Sequence, residues 1–301
     1  MDFGRVDNIN DVDFTLPPTP SLSKVTFSKL SISKTPKVYI GCPVWADKGY
    51  VGKVFPPKTP AKNYLLEYCK QFNSIEVNAT HYQIPKADTI KKWREVATEG
   101  FKFCPKFPQI ISHRSDFDNK QEWMDLFLSS IYELDEFLGP SFIQFPPYFK
   151  PNRLEQLNRF FKQLPHDMDF AVEFRNEAWF ENDTIKKEWF ELLQSHQITP
   201  VITDTSGRRD VLHQLIVNDK VFIRFTGNNL HQTDYSRIND WTLLLSDWIN
   251  KGISEVYFFV HEPEKHLCAD IATHMISLLN KGGIVQLKAP RIYSEETGRL
   301  F

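Results

Sequence analysis

The sequence predicts an α/β protein, a single (β/α)8 barrel of the TIM type with a flexible N-terminal extension. Three observations lead there. Strand-like runs alternate with helix-like ones eight times, and alternating βα units make parallel strands because each helix returns the chain to the same edge. The alternation fills about 245 residues, close to the ~250 that one closed barrel takes. No G-x-G-x-x-G follows the first strand, which argues against an open dinucleotide-binding sheet. The domain limits are residues 1–35 for a disordered or loosely attached extension, 36–281 for the barrel and 282–301 for a C-terminal tail.

The extension is set apart by LPPTPSLSKVTFSKLSISKTP (16–36), rich in Ser, Thr, Pro and Lys. Such a segment buries too little apolar surface to offset its ordering entropy. Its alternation over residues 25–32 also suits a strand, or a segment lying on the barrel. VYIGC (38–42) opens the barrel, and residues 61–72 space apolar side chains at 65, 66, 69 and 72 as a helix does. SIEVNA (74–79) is a strand, 87–97 a helix, and FKFCPKF (101–107) a strand interrupted by Pro105. Residues 121–138 read as an amphipathic helix stopped by Gly139 and Pro140. SFIQF (141–145) is a strand ended by Pro146 and Pro147, and Asn152 is placed to cap a helix running to Gln163. DFAVEF (169–174) is a strand, 183–196 a helix, and ITPVIT (198–203) a strand closed by Asp204. Residues 206–218 offer at most a short helix before VFIRFTG (221–227). A helix over 240–251, the strand EVYFFVH (255–261) and a helix over 265–279 complete the eighth unit.

Composition bounds the partners. With 36 basic and 38 acidic residues the net charge is −2, so no global field draws the chain to nucleic acid, although a local basic pocket stays compatible with it. No stretch approaches ~18 consecutive apolar residues, so no membrane span is expected. The N-terminal MDFGRVDNINDVDF carries acids and no apolar core, unlike a signal peptide. Cys42, Cys69, Cys104 and Cys268 form no CxxC or Cys/His zinc spacing and read as buried thiols of a reducing compartment, the cytoplasm.

In a TIM barrel the active site lies at the carboxyl ends of the strands, so polar residues there carry the chemistry. Nearly every strand delivers one. Trp45 follows the first; Glu76 and Asn78 share a face of the second, before Thr80, His81 and Tyr82. Lys106 ends the third, Gln144 the fourth, Glu173 and Arg175 the fifth, Asp204 the sixth, Arg224 and Thr226 the seventh, His261 and Glu262 the eighth. Carboxylates and cations gathered at one rim must neutralise one another or face an anionic ligand, because unpaired buried charge is costly. Arg forks and a Lys point charge suit phosphate or carboxylate. Glu76, Glu173, Asp204, His261 and Glu262 are also of the types that hold a divalent ion, a less favoured reading since no HExxH, H-x-H or tight carboxylate cluster occurs. His81, His113 and His231 are loop candidates for acid–base work. Trp45, Tyr82, Tyr148, Trp179 and Phe180 follow strand ends, where they either wall a pocket or simply pack.

The chain resembles the YecE-like proteins, a domain-of-unknown-function family with a TIM-barrel fold. The resemblance rests on IGCPVW (40–45), VFPP (54–57), FNSIEVNATHYQIP (72–85), TIKKW (89–93), FKFCPKFPQIISH (101–113), LGPSFIQFPPYF (138–149), LPHDMDFAVEFRNEAWF (164–180), ITDTSG (202–207) and VFIRFTGN (221–228). It implies motif roles for Glu76, Asn78, Thr80, Tyr82, Lys106, Gln144, Glu173, Arg175, Asp204 and Arg224. The chain departs from the family's G-T-S-G-W at the first strand, reading Gly41, Cys42, Pro43, Val44, Trp45, and from its Asn-Asn-Asp-like turn after the last, reading His261, Glu262, Pro263.

The functional expectation is an enzyme, a hydrolase or a lyase/isomerase, acting on a small polar, anionic ligand at the barrel top. Glu76, Glu173, Lys106 and Asp204 are the catalytic candidates, with Glu76 or Glu173 as acid or base. Trp45, Asn78, Thr80, Tyr82, Gln144, Arg175, Arg224 and His261 are the ligand-binding ones. The alternative is a non-catalytic barrel that binds a ligand or nucleic acid.

Overall fold

The computed structural model describes residues 4, 6, 8–33 and 35–293. Eight parallel strands make one sheet: β1 (Lys37–Cys42), β2 (Ser74–Val77), β3 (Lys102–Pro105), β4 (Ser141–Gln144), β5 (Phe170–Glu173), β6 (Thr199–Asp204), β7 (Lys220–Thr226) and β8 (Glu255–His261). Hydrogen-bonded neighbours run β3-β2-β1-β8-β7-β6-β5-β4. The remaining seam, between β3 and β4, is closed by Gly139 N–H donating to the Phe103 carbonyl at 2.7 Å and Phe107 N–H to that of Phe142 at 2.9 Å. The predicted (β/α)8 barrel is what forms.

Among the described residues, eleven α-helices surround it: α1 (Ser21–Phe27), α2 (Tyr64–Gln71), α3 (Ala79–Tyr82), α4 (Ala87–Val96), α5 (Gln109–Ser112), α6 (Gln121–Tyr132), α7 (Leu154–Phe161), α8 (Ala178–Glu181), α9 (Asp183–Ser195), α10 (Gln232–Asn250) and α11 (Cys268–Lys281). Several limits differ from the sequence reading. The helix expected over 121–138 ends at Tyr132, and a separate 3-10 turn spans Asp135–Phe137. Asn152 lies inside the 3-10 turn Pro151–Arg153 and caps nothing. α10 begins eight residues before the expected 240, started by the His231 side chain accepting from Thr233 N–H. His231 is therefore a helix cap at this end of the barrel.

The strands are buried on both faces, as parallel strands covered by helices must be. The inner face carries an aromatic plug. Tyr39 stacks on Tyr257 at 4.7 Å, Phe222 meets Phe142 at 5.3 Å and Phe259 at 5.1 Å, with Cys104, Ala171 and Val201 between them. TIM barrels are filled rather than hollow, and here rings do the filling. All four cysteines are free and buried.

The eight-unit count holds for strands but not for helices. Between β6 and β7 the chain makes only the 3-10 turn Arg209–Val211. The vacant place in the helix layer is taken by α1, from the extension that composition marks as loose. Ser23 is fully buried; its hydroxyl donates to the Gln214 carbonyl at 2.8 Å and accepts from Ile216 N–H at 3.0 Å. Leu22 joins the core that contains Leu193, Leu215 and Val217, while Phe27 and Leu30 join the one that contains Trp248 and Ile249. A few well-spaced apolar residues and one hydroxyl thus dock a segment of polar composition. At the other end, Leu287 N–H bonds to Asn280, Arg291 N–H to Gln71 and the Tyr293 N–H to the Lys53 carbonyl, so the tail lies on the barrel as far as Tyr293. Residues 294–301 fall outside the described residues.

Candidate functional site

Above the aromatic plug, the inner face changes from apolar to polar within one residue pair per strand. Strand side chains alternate, so Glu76, Gln144, Glu173, Arg224 and His261 project into the mouth from β2, β4, β5, β7 and β8. Lys106 adds its ammonium just past β3. Phe142 of the plug lies under the Arg224 guanidinium at 5.5 Å.

These side chains form one connected network. Arg224 Nε and Nη2 donate to Glu76 Oε2 and Oε1 at 2.8 and 2.9 Å, and Nη1 donates to Glu173 Oε2 at 2.7 Å. His261 Nε2 meets Glu76 Oε2 at 3.0 Å, and Asn78 Nδ2 donates to Glu76 Oε1 at 2.7 Å. Gln144 and Glu173 are register partners on adjacent strands, and Gln144 Nε2 donates to Glu173 Oε2 at 2.7 Å. The other end of that amide, Oε1, accepts from Lys106 Nζ at 2.9 Å. Arg175 Nε donates to Glu173 Oε1 at 2.7 Å. Both glutamates are fully buried, whereas Lys106, Gln144 and Arg224 keep a small exposure at the opening.

The network sets the charge states. Burial alone would raise the Glu76 and Glu173 carboxyls, but Arg224, with His261 beside the first and Arg175 beside the second, holds both well below the usual carboxylate range. Lys106 moves the other way: burial and the nearby Arg224 push its ammonium down to about 8, against the pull of Glu173 and Glu76. Burial also lowers His261 in spite of Glu76, and a neutral ring facing an ionised carboxylate must carry its hydrogen on Nε2. His81, down to about 4, and His113 are lowered by burial and by Lys106.

A family model described as "Protein of unknown function DUF72" matches residues 39–293. The chain belongs to the DUF72 family. It is 26% identical over 245 residues to the UPF0759 protein YecE of Escherichia coli K12, spanning 75% of this chain and 87% of that protein. It is 26% identical over 272 residues to the UPF0759 protein YunF of Bacillus subtilis, spanning 81% and 95%. A crystal structure of a DUF72 family protein from Enterococcus faecalis superposes with a TM-score of 0.67 at 20% identity, covering 81% of this chain and 95% of that one. The resemblance to YecE-like proteins is thereby shown, and the fold with it.

Not every expected residue of this DUF72 chain reaches the mouth. Asp204 faces outward, into the helix layer. There it pairs with Arg237 Nη2 at 2.7 Å and with Arg209, and accepts from Trp241 Nε1 at 2.7 Å. Burial opposes its ionisation, but Arg237 and Arg209 hold it below the ordinary aspartate range. It locks α10 onto β6. Thr80 is buried with Oγ1 at 2.8 and 2.7 Å from the Val77 and Lys106 carbonyls, tying β2 to β3 rather than facing the opening. Trp45 packs edge-on against Trp93 at 5.4 Å in the helix layer. Trp179 is buried against Phe174 at 4.2 Å, and Phe180 stacks on His213 at 5.1 Å. Tyr82 and Tyr148 are exposed at the rim.

Glu262, expected at the rim and as a possible metal ligand, is instead fully buried behind β8; burial and the neighbouring Asp234 push its carboxyl up to about 7. Its Oε2 accepts from Asn229 N–H at 2.7 Å, and Oε1 has no hydrogen-bond partner among the described residues. A Cβ at Gly227 would collide with that carboxyl, which is why glycine stands there. Among the described residues, no three His, Cys, Asp or Glu side chains converge as metal ligands. No described helix is long and apolar enough to cross a membrane.

Proposed function

We propose that this DUF72 protein is an enzyme that moves a proton on a small anionic molecule held at the barrel mouth, a reaction of the lyase or isomerase kind. The bonding of Lys106 carries the reading. Its nearly buried ammonium donates to the neutral Gln144 amide oxygen and, among the described residues, pairs with no carboxylate, so it is the cation placed to meet an anionic ligand. Burial lowers the histidines His81, His113 and His261, which disfavours their charged forms.

Lys106 is also the group suited to proton transfer. With its ammonium at about 8, roughly a tenth is free amine at pH 7, enough for a base that is regenerated easily. Glu76 and Glu173 are poor bases, being held ionised and hydrogen-bonded inside the network, so their part is to position Arg224. Arg224 also occupies the space between them, where a glycosidase would need its scissile bond. Activation of water by a carboxylate, the simplest hydrolase mechanism, is disfavoured for the same reason. Asn78 and Gln144 orient the polar groups around the ligand.

The test is a thermal-shift screen of phosphorylated and carboxylated metabolites on wild type and Lys106→Met, followed by proton NMR of each hit in D2O. Anions that stabilise wild type and not the variant, with a carbon-bound proton exchanged only by wild type, are expected. Binding with no exchange or turnover leaves a binding barrel, a reading that the internally satisfied carboxylates also support. No anion hit, or hits indifferent to Lys106→Met, would refute an anion site at the mouth.

A further inference from the structure

We infer that the cleft beside the mouth receives a planar heterocyclic ring, which makes the ligand class of this site a nucleotide, with its phosphate at Lys106. The inference rests on the anion reading above and adds the other half of the molecule. The cleft has a volume of about 590 Å³ and is lined among others by Tyr82, Ile84, Pro108, Arg114, Trp123 and Leu126. That size is within the ~300–1,000 Å³ of small-molecule sites. No acidic side chain is among its described lining residues.

Its aromatic side chains are displayed rather than packed away. Tyr82 is 73% exposed and Trp123 40%, on two separate helices, α3 and α6, that face the same space. Tyr148, 61% exposed, is fixed at the rim by its hydroxyl donating to the His113 carbonyl at 2.9 Å. Large rings held open to water on convergent elements are the informative kind of exposure, and a flat heterocycle is what such a surface covers best.

The cleft and Lys106 share one strand end. His81, which lines the cleft, bonds through Nδ1 to the Phe107 carbonyl at 2.8 Å, and its buried neighbour Thr80 donates to the Lys106 carbonyl at 2.7 Å. Because His81 Nδ1 faces a carbonyl, it carries the hydrogen, and Nε2 is left as an acceptor. His113 stands edge-on to it at 5.1 Å. A neutral acceptor between an aromatic cleft and an ammonium matches the exocyclic amino group of a base.

Calorimetric titration of the full chain with AMP, GMP, CMP, UMP, adenosine and ribose 5-phosphate tests this. At least one nucleotide is expected to bind about tenfold more tightly than ribose 5-phosphate, the scale of one base stacked on aromatic rings. Tyr82→Ala with Trp123→Ala, both on the surface, should remove that advantage and leave ribose 5-phosphate within about twofold of wild type. Lys106→Met should weaken both. Nucleotides no tighter than ribose 5-phosphate, or indifferent to the double substitution, would overturn the ring site while leaving the anion reading intact. Adenosine bound as tightly as AMP, with Lys106→Met neutral, would instead overturn the anion reading and with it the nucleotide. No nucleotide binding at all also ends the inference.

Discussion

Arg224 meets Glu76 as a two-point fork, at 2.8 and 2.9 Å, and spends its remaining nitrogen on Glu173 at 2.7 Å. One guanidinium therefore compensates two fully buried carboxylates from strands on opposite sides of the mouth. Removing it leaves Glu76 without a cationic partner and Glu173 with Arg175 alone in a low-dielectric site, where one broken pair costs about 3–5 kcal/mol. Arg224→Met is expected to lose at least that in urea unfolding at pH 7. Arg224→Met in a Glu76→Gln, Glu173→Gln background should lose much less, because no ionised carboxylate is then stranded. Equal losses in the two backgrounds would mean the charges do not matter.

Asp204 has the same residue chemistry but a different place. Held by Arg237, Arg209 and Trp241 outside the barrel wall, it serves the attachment of α10. Asp204→Asn should destabilise the fold by about 3 kcal/mol. Anion affinity at the mouth, measured below the melting range, should stay within about twofold. Loss of affinity without loss of stability would return Asp204 to the catalytic candidates.

Glu262 carries a pH dependence whose sign follows from its direction of shift. Its carboxyl is raised from the ordinary 4.5 to about 7 by burial and Asp234, so the folded state holds the proton more tightly than the unfolded one. The stability this contributes is complete below pH 4.5 and is lost as pH rises to about 7. Glu262→Gln should flatten that part of a urea-derived stability profile and leave the variant more stable than wild type at pH 8. A profile that keeps its slope in the variant would assign the dependence elsewhere.

Ser23 tests the docking of α1. Its hydroxyl satisfies the Gln214 carbonyl and the Ile216 N–H in a buried place that the β6–β7 connection leaves without a helix. Ser23→Ala strands both and should cost about 1–3 kcal/mol. In limited proteolysis it should also expose cuts between residues 16 and 36 that wild type resists. An extension cleaved equally in both proteins would mean that α1 does not hold the barrel.

How far these features were legible in the sequence depended on patterning. On β7 the run VFIRFT sets Arg224 between apolar neighbours on both sides, and on β2 SIEV does the same for Glu76. A charge flanked that way at a strand end is readable as inward-facing. On β6 the strand is buried along its whole length, as in any strand covered on both faces, and Thr203 and Asp204 end it with two polar residues in succession, so nothing in the run indicates the phase of Asp204. Trp45 and Trp179 misled because an aromatic residue after a strand serves equally well to wall a pocket or to pack a helix. The cleft at Tyr82 and Trp123 joins residues from two distant segments, and no local pattern marks such a meeting. α1 escaped because its apolar residues are few; their value comes from a gap that another part of the chain leaves open.

Taken alone, the order of residues determined the alternation of strand and helix, hence a parallel barrel, and which polar residues end its strands. That much is local: backbone periodicity and the shortness of the connections suffice. Only the folded arrangement decided that Arg224 closes on two glutamates, that Asp204 turns its back on them and that α1 completes the helix layer. Each of these depends on distances between residues far apart in the chain, which exist only once the sheet has curled and brought its eight ends together.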